Sequence, residues 1–226
     1  MAFLYALMPN VITYREKFFE SILETLQMVS ISFVFVVLFG LLLGVLLAVV
    51  SKGHLYENRF LDAVIPKIVN VVRAIPFVIL LTLLIPFTRA LVGTAIGVRG
   101  ALVPLVVSMV PFVSRQVELS VLEVDYSVIE MGLSMGYSRP YIIVNILLRE
   151  ARGGIIRSII TSSISLVNVT TMAGVVGGGG IGDFAIRYGY TRFMTDITVT
   201  SVIVLLIIVF GIQGIGNLIL KKISHD

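Results

Sequence analysis

Charged residues along this 226-residue chain are sparse and bunched, and the intervals between them predict its elements. A helix rising 1.5 Å per residue needs about 20 apolar residues to cross a hydrocarbon core about 30 Å thick. Three intervals free of Asp, Glu, Lys and Arg exceed that length: Thr25 to Ser51 with 27 residues, Ser158 to Gly182 with 25, and Ile197 to Leu220 with 24. Two shorter ones, Ala74 to Thr88 and Gly100 to Ser114, hold 15 each. They span only by borrowing flanking residues, the first reaching back toward Ile68 with Arg73 snorkelling to the interface. The pattern predicts an all-α integral membrane protein: one transmembrane domain over residues 1–226, with five transmembrane helices at about 25–51, 66–88, 93–118, 155–177 and 197–220. Met1 to Met8 is a short apolar run without a basic start, stopped by Pro9. It reads as the lead into an amphipathic stretch and not as a cleaved signal.

An odd number of spans puts the termini on opposite sides, and basic residues select which. With the C-terminus in the cytoplasm, the inside segments hold Lys52, Arg59, Lys67, Arg73, Arg115, Arg139, Arg149, Arg152, Arg157, Lys221 and Lys222. The outside holds Arg15, Lys17, Arg89, Arg99, Arg187 and Arg192, so the N-terminus is expected outside. Gly40 and Gly44 in the first span, and Gly174 and Gly178 late in the fourth, have the spacing that lets helix backbones approach. Packing within one subunit is the preferred reading over a contact between copies.

Composition narrows the function. Only 13% of residues are charged, against roughly 25% in a soluble domain. A net charge of +4, scattered along the chain, gives no nucleic-acid footprint. The absence of Cys excludes thiolate chemistry and Cys-based metal sites, and two histidines, His54 and His225, argue against a zinc centre. No metal or cofactor is therefore expected. The Gly177–Asp183 stretch lacks the Gly-Lys-Ser/Thr ending of a phosphate-binding loop. It is read as a tightly turning segment at a span's end, or as a loop touching a partner or a substrate path. No catalytic motif lies in a span, which argues against an enzyme. The middles of the first, fourth and fifth spans hold no ionisable relay residues, and five spans do not divide into equal inverted repeats. An ion-coupled secondary transporter or channel is thereby weakened, though it stays as the alternative.

The one sizeable polar stretch, about 119–152, lies between spans three and four on the cytoplasmic side. On a helix, Glu123, Ser127, Glu130 and Ser134 share one face, and Val124, Val128, Met131 and Met135 form an adjacent apolar stripe. Gly136 suits a left-handed cap and Pro140 the start of a second helix. The stripe either packs on the chain's own spans or meets a partner. In the fourth span, Ser165, Asn168, Thr170, Thr171 and Met172 form a polar cluster that either bonds between helices or faces an interface or pathway.

Glu130-Met131-Gly132, three residues, Gly136, nine residues and then Ile146-Leu147-Leu148 resembles the cytoplasmic signature of permease subunits of bacterial ATP-driven (ABC) importers. Met131-Gly132 replaces its Ala pair and Arg149 its Pro. Gly132 is expected to loosen the helix by roughly 1 kcal/mol relative to Ala. Arg73-Ala74-Ile75-Pro76-Phe77, Ile85-Pro86-Phe87-Thr88-Arg89, Val92-Gly93-Thr94, Val103-Pro104-Leu105, Pro111-Phe112-Val113 and Tyr188-Gly189-Tyr190 look like the methionine-importer permeases. The resemblance implies that Val128, Glu130, Met131, Met135 and Gly136 belong to a coupling helix that docks on a separate ATPase. It implies a bacterial inner-membrane complex of two permease copies, two cytoplasmic ATP-binding subunits and an extracytoplasmic substrate-binding lipoprotein. Methionine, in its D-form or with related amino acids, is the implied substrate. Met172 falls where the family places a pathway constriction, and Asn168 and Thr171 accompany it.

Overall fold

The computed structural model describes residues 8–223; residues 1–7 of the apolar lead and His225 lie outside the described residues. Among the described residues every regular element is helical. In chain order these are α1 (Pro9–Thr13), α2 (Arg15–Val50), α3 (Arg59–Ala74), α4 (Phe77–Leu83), α5 (Ile85–Val92), α6 (Gly97–Leu122) and α7 (Tyr126–Ser134). Then come α8 (Arg139–Tyr141), a wider π-type segment Ile142–Leu147, α9 (Leu148–Glu150) and α10 (Arg152–Ala173). The chain finishes with a π-type Gly174–Gly178, α11 (Gly180–Phe184), a π-type Ala185–Tyr190 and α12 (Thr195–Ile223).

Four helical stretches are each long and apolar enough to cross a membrane: Arg15–Val50, Gly97–Leu122, Arg152–Gly178 and Thr195–Ile223. A fifth arises only when α3 and α4 are taken together across a sharp bend. The stretch 66–88, expected as one helix, is interrupted twice. Pro76 has ψ 134° and starts α4 as its N-cap, because proline lacks an N–H and disfavours a helical residue before it. Pro86 sits in the first turn of α5, again where a missing N–H costs no bond. A 15-residue uncharged interval is too short for one straight span, and the prolines fix where it bends.

α2 has 36 residues and so runs about 54 Å, well beyond a hydrocarbon core. Its charges, Arg15, Glu16, Lys17, Glu20 and Glu24, all fall in the first three turns. There Phe18, Ser21, Thr25 and Met28 are buried at helical spacing, the amphipathic lead-in that the pattern predicts.

The chain packs as two compact units. The first comprises Met1–Val34, Ile75–Ser108 and Ser163–Gln213. Its apolar cluster gathers Val11, Phe18, Phe184, Tyr188 and Ile197, with ring centroids 5.7 Å apart for Phe18–Phe184 and 5.1 Å for Phe184–Tyr188. Asp196 accepts hydrogen bonds from the Asn10 backbone N–H and side-chain amide at 2.9 Å each, tying α1 to the start of α12.

The second unit comprises Phe35–Ala74, Met109–Ser162 and Gly214–Asp226. Here the Gly40 and Gly44 face of α2 lies against α6. A Cβ on Gly40 would come 2.6 Å from Val113 Cγ1, and one on Gly44 2.6 Å from the Ser114 carbonyl oxygen. This face is thus filled within the subunit. Ser158 of α10 meets Ser120 of α6, hydroxyl to hydroxyl, at 2.9 Å.

Candidate functional site

Within the second unit, α7 begins later than the hydrophobic periodicity suggests. Asp125 caps it, its carboxylate accepting from the Ser127 N–H at 2.8 Å, so Glu123 and Val124 precede the helix. Hydrogen bonding from Ser127, backbone first and side chain second, holds the Asp125 carboxyl below its ordinary pKa. The charged cap is therefore in place at neutral pH.

The face of α7 that packs inward is formed by Ile129, fully buried, and Gly132. A Cβ on Gly132 would lie 3.0 Å from Ile146 Cδ1 and 3.1 Å from Ile142 Cγ1. The glycine that weakens the helix intrinsically also lets the following segment close against it. Met131 and Met135 point away from this contact and are 50% and 62% exposed. Glu130 and Gly136 are exposed as well, whereas Val128 is half-buried and lines a cavity of about 550 Å³ with Glu123, Asp125, Glu150 and Arg157. Gly136 adopts φ +78°, the left-handed turn that the sequence suggests. Beyond it Tyr137 and Tyr141 stack at 4.7 Å and are also exposed. Of the apolar stripe, Met131 and Met135 thus project, whereas Val124 and Val128 are half-buried along the cavity.

Within the first unit, the polar cluster of α10 separates into two kinds. Thr170 and Thr171 donate to the carbonyl oxygens of Leu166 and Val167 of their own helix, at 2.7 and 3.0 Å. These hydroxyls are satisfied without any neighbouring helix. Asn168 and Met172 are instead exposed, Met172 by 52%, one turn apart on one face. A bare amide on a long apolar helix would be costly against lipid, so that face suits water or a partner.

The Gly-rich segment folds beside the end of α10 and needs its glycines. Gly177, Gly179 and Gly180 all have φ between 79° and 89°, a region other residues rarely adopt. Two residues of α2 that the sequence alone did not single out hold it there. Glu24 accepts from the Gly180 N–H at 2.7 Å, and Thr25 Oγ1 accepts from the Ile181 N–H at 2.8 Å, capping α11. At a separation of 156 positions no local signal announces these bonds. Glu24→Ala should leave the Gly180 N–H unpaired and lower stability by about 1–3 kcal/mol, while Glu24→Gln, which keeps an acceptor, should be far milder. Thermal unfolding in detergent checks both.

Residues 40–224 match the family described as binding-protein-dependent transport system inner membrane component. A Vibrio cholerae protein described as "Probable D-methionine transport system permease protein MetI" is 40% identical over 202 residues, 89% of this chain and 90% of its own length. The Bacillus subtilis methionine import system permease protein MetP is 41% identical over 179 residues, 79% of this chain and 81% of its own. A crystal structure of the MetNI methionine ABC transporter in inward-facing conformations superposes with a TM-score of 0.90 at 37% identity, covering 93% of this chain and 98% of that one. A chain whose described elements are all helical, with four to five candidate spans, matched in sequence over most of its length and in fold over 93% of it, is a multi-pass membrane permease and belongs to the binding-protein-dependent transport system inner membrane components.

Proposed function

We propose that this chain is the permease subunit of a methionine ABC importer, with two copies forming the pathway and two separate cytoplasmic ATPase subunits driving it. Likeness to MetI and MetP, and to the permease chain of MetNI, supports the substrate and the division of labour. The observation that carries the coupling is the projection of Met131 and Met135 from a helix whose packing face is elsewhere. Flexible thioether side chains suit a docking surface that shifts during a cycle. Glu130 lies on the same helix, Gly136 turns the chain just past its end, and Val128 supports the helix from the cavity side. With the C-terminus in the cytoplasm this segment lies where ATPase subunits reach it, and the opposite face receives a substrate-binding lipoprotein.

Across the membrane, Asn168 and Met172 line the pathway between copies, with Thr171 beside them and Met172 as the constriction. ATP binding draws the coupling helices together and opens the permeases outward, and hydrolysis resets them. The chain itself makes or breaks no covalent bond.

Reconstituted with its ATPase and binding-protein partners, the permease should take up labelled methionine in competition with related amino acids and in strict dependence on ATP. Uptake by the permease alone, driven by an ion gradient, would overturn this assignment. Met172→Ala should widen the constriction, seen as raised basal ATP hydrolysis or methionine leak by severalfold with little change in stability, because the side chain is half exposed. Unchanged values for both remove Met172 from the pathway.

A further inference from the structure

The loop between α2 and α3, residues 51–58, has no role in the docking surface or the pathway face. It is nevertheless firmly built. Gly53 takes φ +83° and donates its N–H to the Glu57 carboxylate at 3.1 Å. The N–H groups of Tyr56 and Asn58 donate to the carbonyls of Val49 and Val50 at 2.9 and 3.0 Å, and Leu55 is buried. The Asn58 side chain accepts from the N–H groups of Phe60 and Leu61 at 3.1 Å each, capping α3. The loop is therefore a stiff continuation of the ends of α2 and α3.

Two rings of this loop reach the polar segment at different places. The His54 ring stands edge-on to Tyr126, the first residue of α7, with centroids 6.1 Å apart. The Tyr56 ring lies 5.5 Å from the guanidinium carbon of Arg139, the first residue of α8. One contact is thus at the start of α7 and the other lies just past the Gly136 turn that ends it. Burial lowers the His54 pKa, so the ring packs as a neutral aromatic. By chain alone, α7 is joined to its neighbours through the turn at Glu123–Asp125 and the turn around Gly136, both of which can hinge.

We propose that His54 and Tyr56 are positioning residues that clamp the coupling segment at both ends, so that movement of docked α7 passes to α2 and α3 as motion of one rigid piece. The proposal rests on the assignment of α7 as the docking helix. In the permease assembled with its ATPase subunits in liposomes, His54→Ala with Tyr56→Ala should keep those subunits bound. Labelled methionine taken up per ATP hydrolysed should fall about fivefold, the factor that a contact of this class controls. Tyr56→Phe alone, which keeps His54 and a ring over Arg139, should retain most of the unsubstituted ratio. An unchanged ratio, or loss of uptake only in proportion to loss of assembled complex, overturns the clamp. Met135→Asp measured alongside separates the two ideas. Uptake that survives it refutes the docking assignment, whereas its loss together with an unchanged ratio in the clamp variants refutes the clamp alone.

Should the double alanine variant fail to reach the membrane, the absence of native Cys offers a second route. Tyr56→Cys with Arg139→Cys removes the clamp, and a short bifunctional thiol reagent replaces it. Uptake per ATP should be low before cross-linking and should recover after it. Cross-linking that stops uptake would show that loop and segment must separate, and would overturn the proposal.

Discussion

Met135→Asp should abolish methionine uptake while leaving the amount of permease in the membrane unchanged. The side chain is 62% exposed in the isolated chain, so its removal leaves no cavity and the carboxylate is solvated there. On docking it would be taken out of water without a partner, and an unpaired charge in an apolar contact is among the costliest single changes at an interface. A central contact residue commonly controls about 2–4 kcal/mol, or some 30- to 700-fold in affinity. Met135 also ends α7, where a negative charge opposes the helix dipole by about 0.3–1 kcal/mol. Met135→Gln separates these effects, since it is polar and uncharged and should retain part of the activity. Copurification of the ATPase subunit and ATP-dependent uptake are the measurements. Normal uptake by the Asp variant would end the docking assignment.

Gly182→Ala, a change of one methyl group, should reduce stability by about 3 kcal/mol or more. A Cβ at Gly182 would overlap the backbone carbonyl of Thr171, and one at Gly174 would overlap the backbone N of Asp183. The obstruction in each case is main chain, which no rotamer change relieves. For a chain of this size the expected fall in unfolding temperature is about 6–12 °C. Gly211→Ala is the matched control: it lies within α12 with nothing inside 4 Å of the added atom, and should be neutral or slightly stabilising. Equal melting of the two variants would show that the end of α10 can yield. A loss confined to Gly182→Ala would locate the constraint where the Gly-rich segment folds beside Thr171 and Met172.

Spans were legible because lipid admits no unpaired polar groups, so charge intervals and helix length are bound together. Where that rule weakens, so does the reading. The interval from Ala74 to Thr88 gives the right region for a span, and Pro76 and Pro86 then divide it in a way that hydropathy does not register. The start of α7 shows a second limit. The apolar period runs on through Val124, but Asp125 bonds the Ser127 N–H and ends the turn before it, a local capping preference that outweighs periodicity. Gly136 was readable because a positive φ has a residue signature. The caps from Glu24 and Thr25 were not, since their partners are backbone N–H groups distant in sequence and any acceptor at that height would serve. Met131 and Met135 could be assigned to a stripe from spacing, yet only the packing around α7 distinguishes these projecting side chains from the inward face of Ile129 and Gly132.

The hydroxyls of α10 carry one more implication. Ser162, Thr170 and Thr171 each donate to a carbonyl of the helix they stand on, and Ser158 near its base is bonded across to Ser120. Above that link, α10 asks nothing of a neighbouring helix through these three hydroxyls. Displacing its upper part exchanges dispersion contacts worth about 0.1–0.2 kcal/mol per atom pair and need not rupture those three hydroxyl bonds.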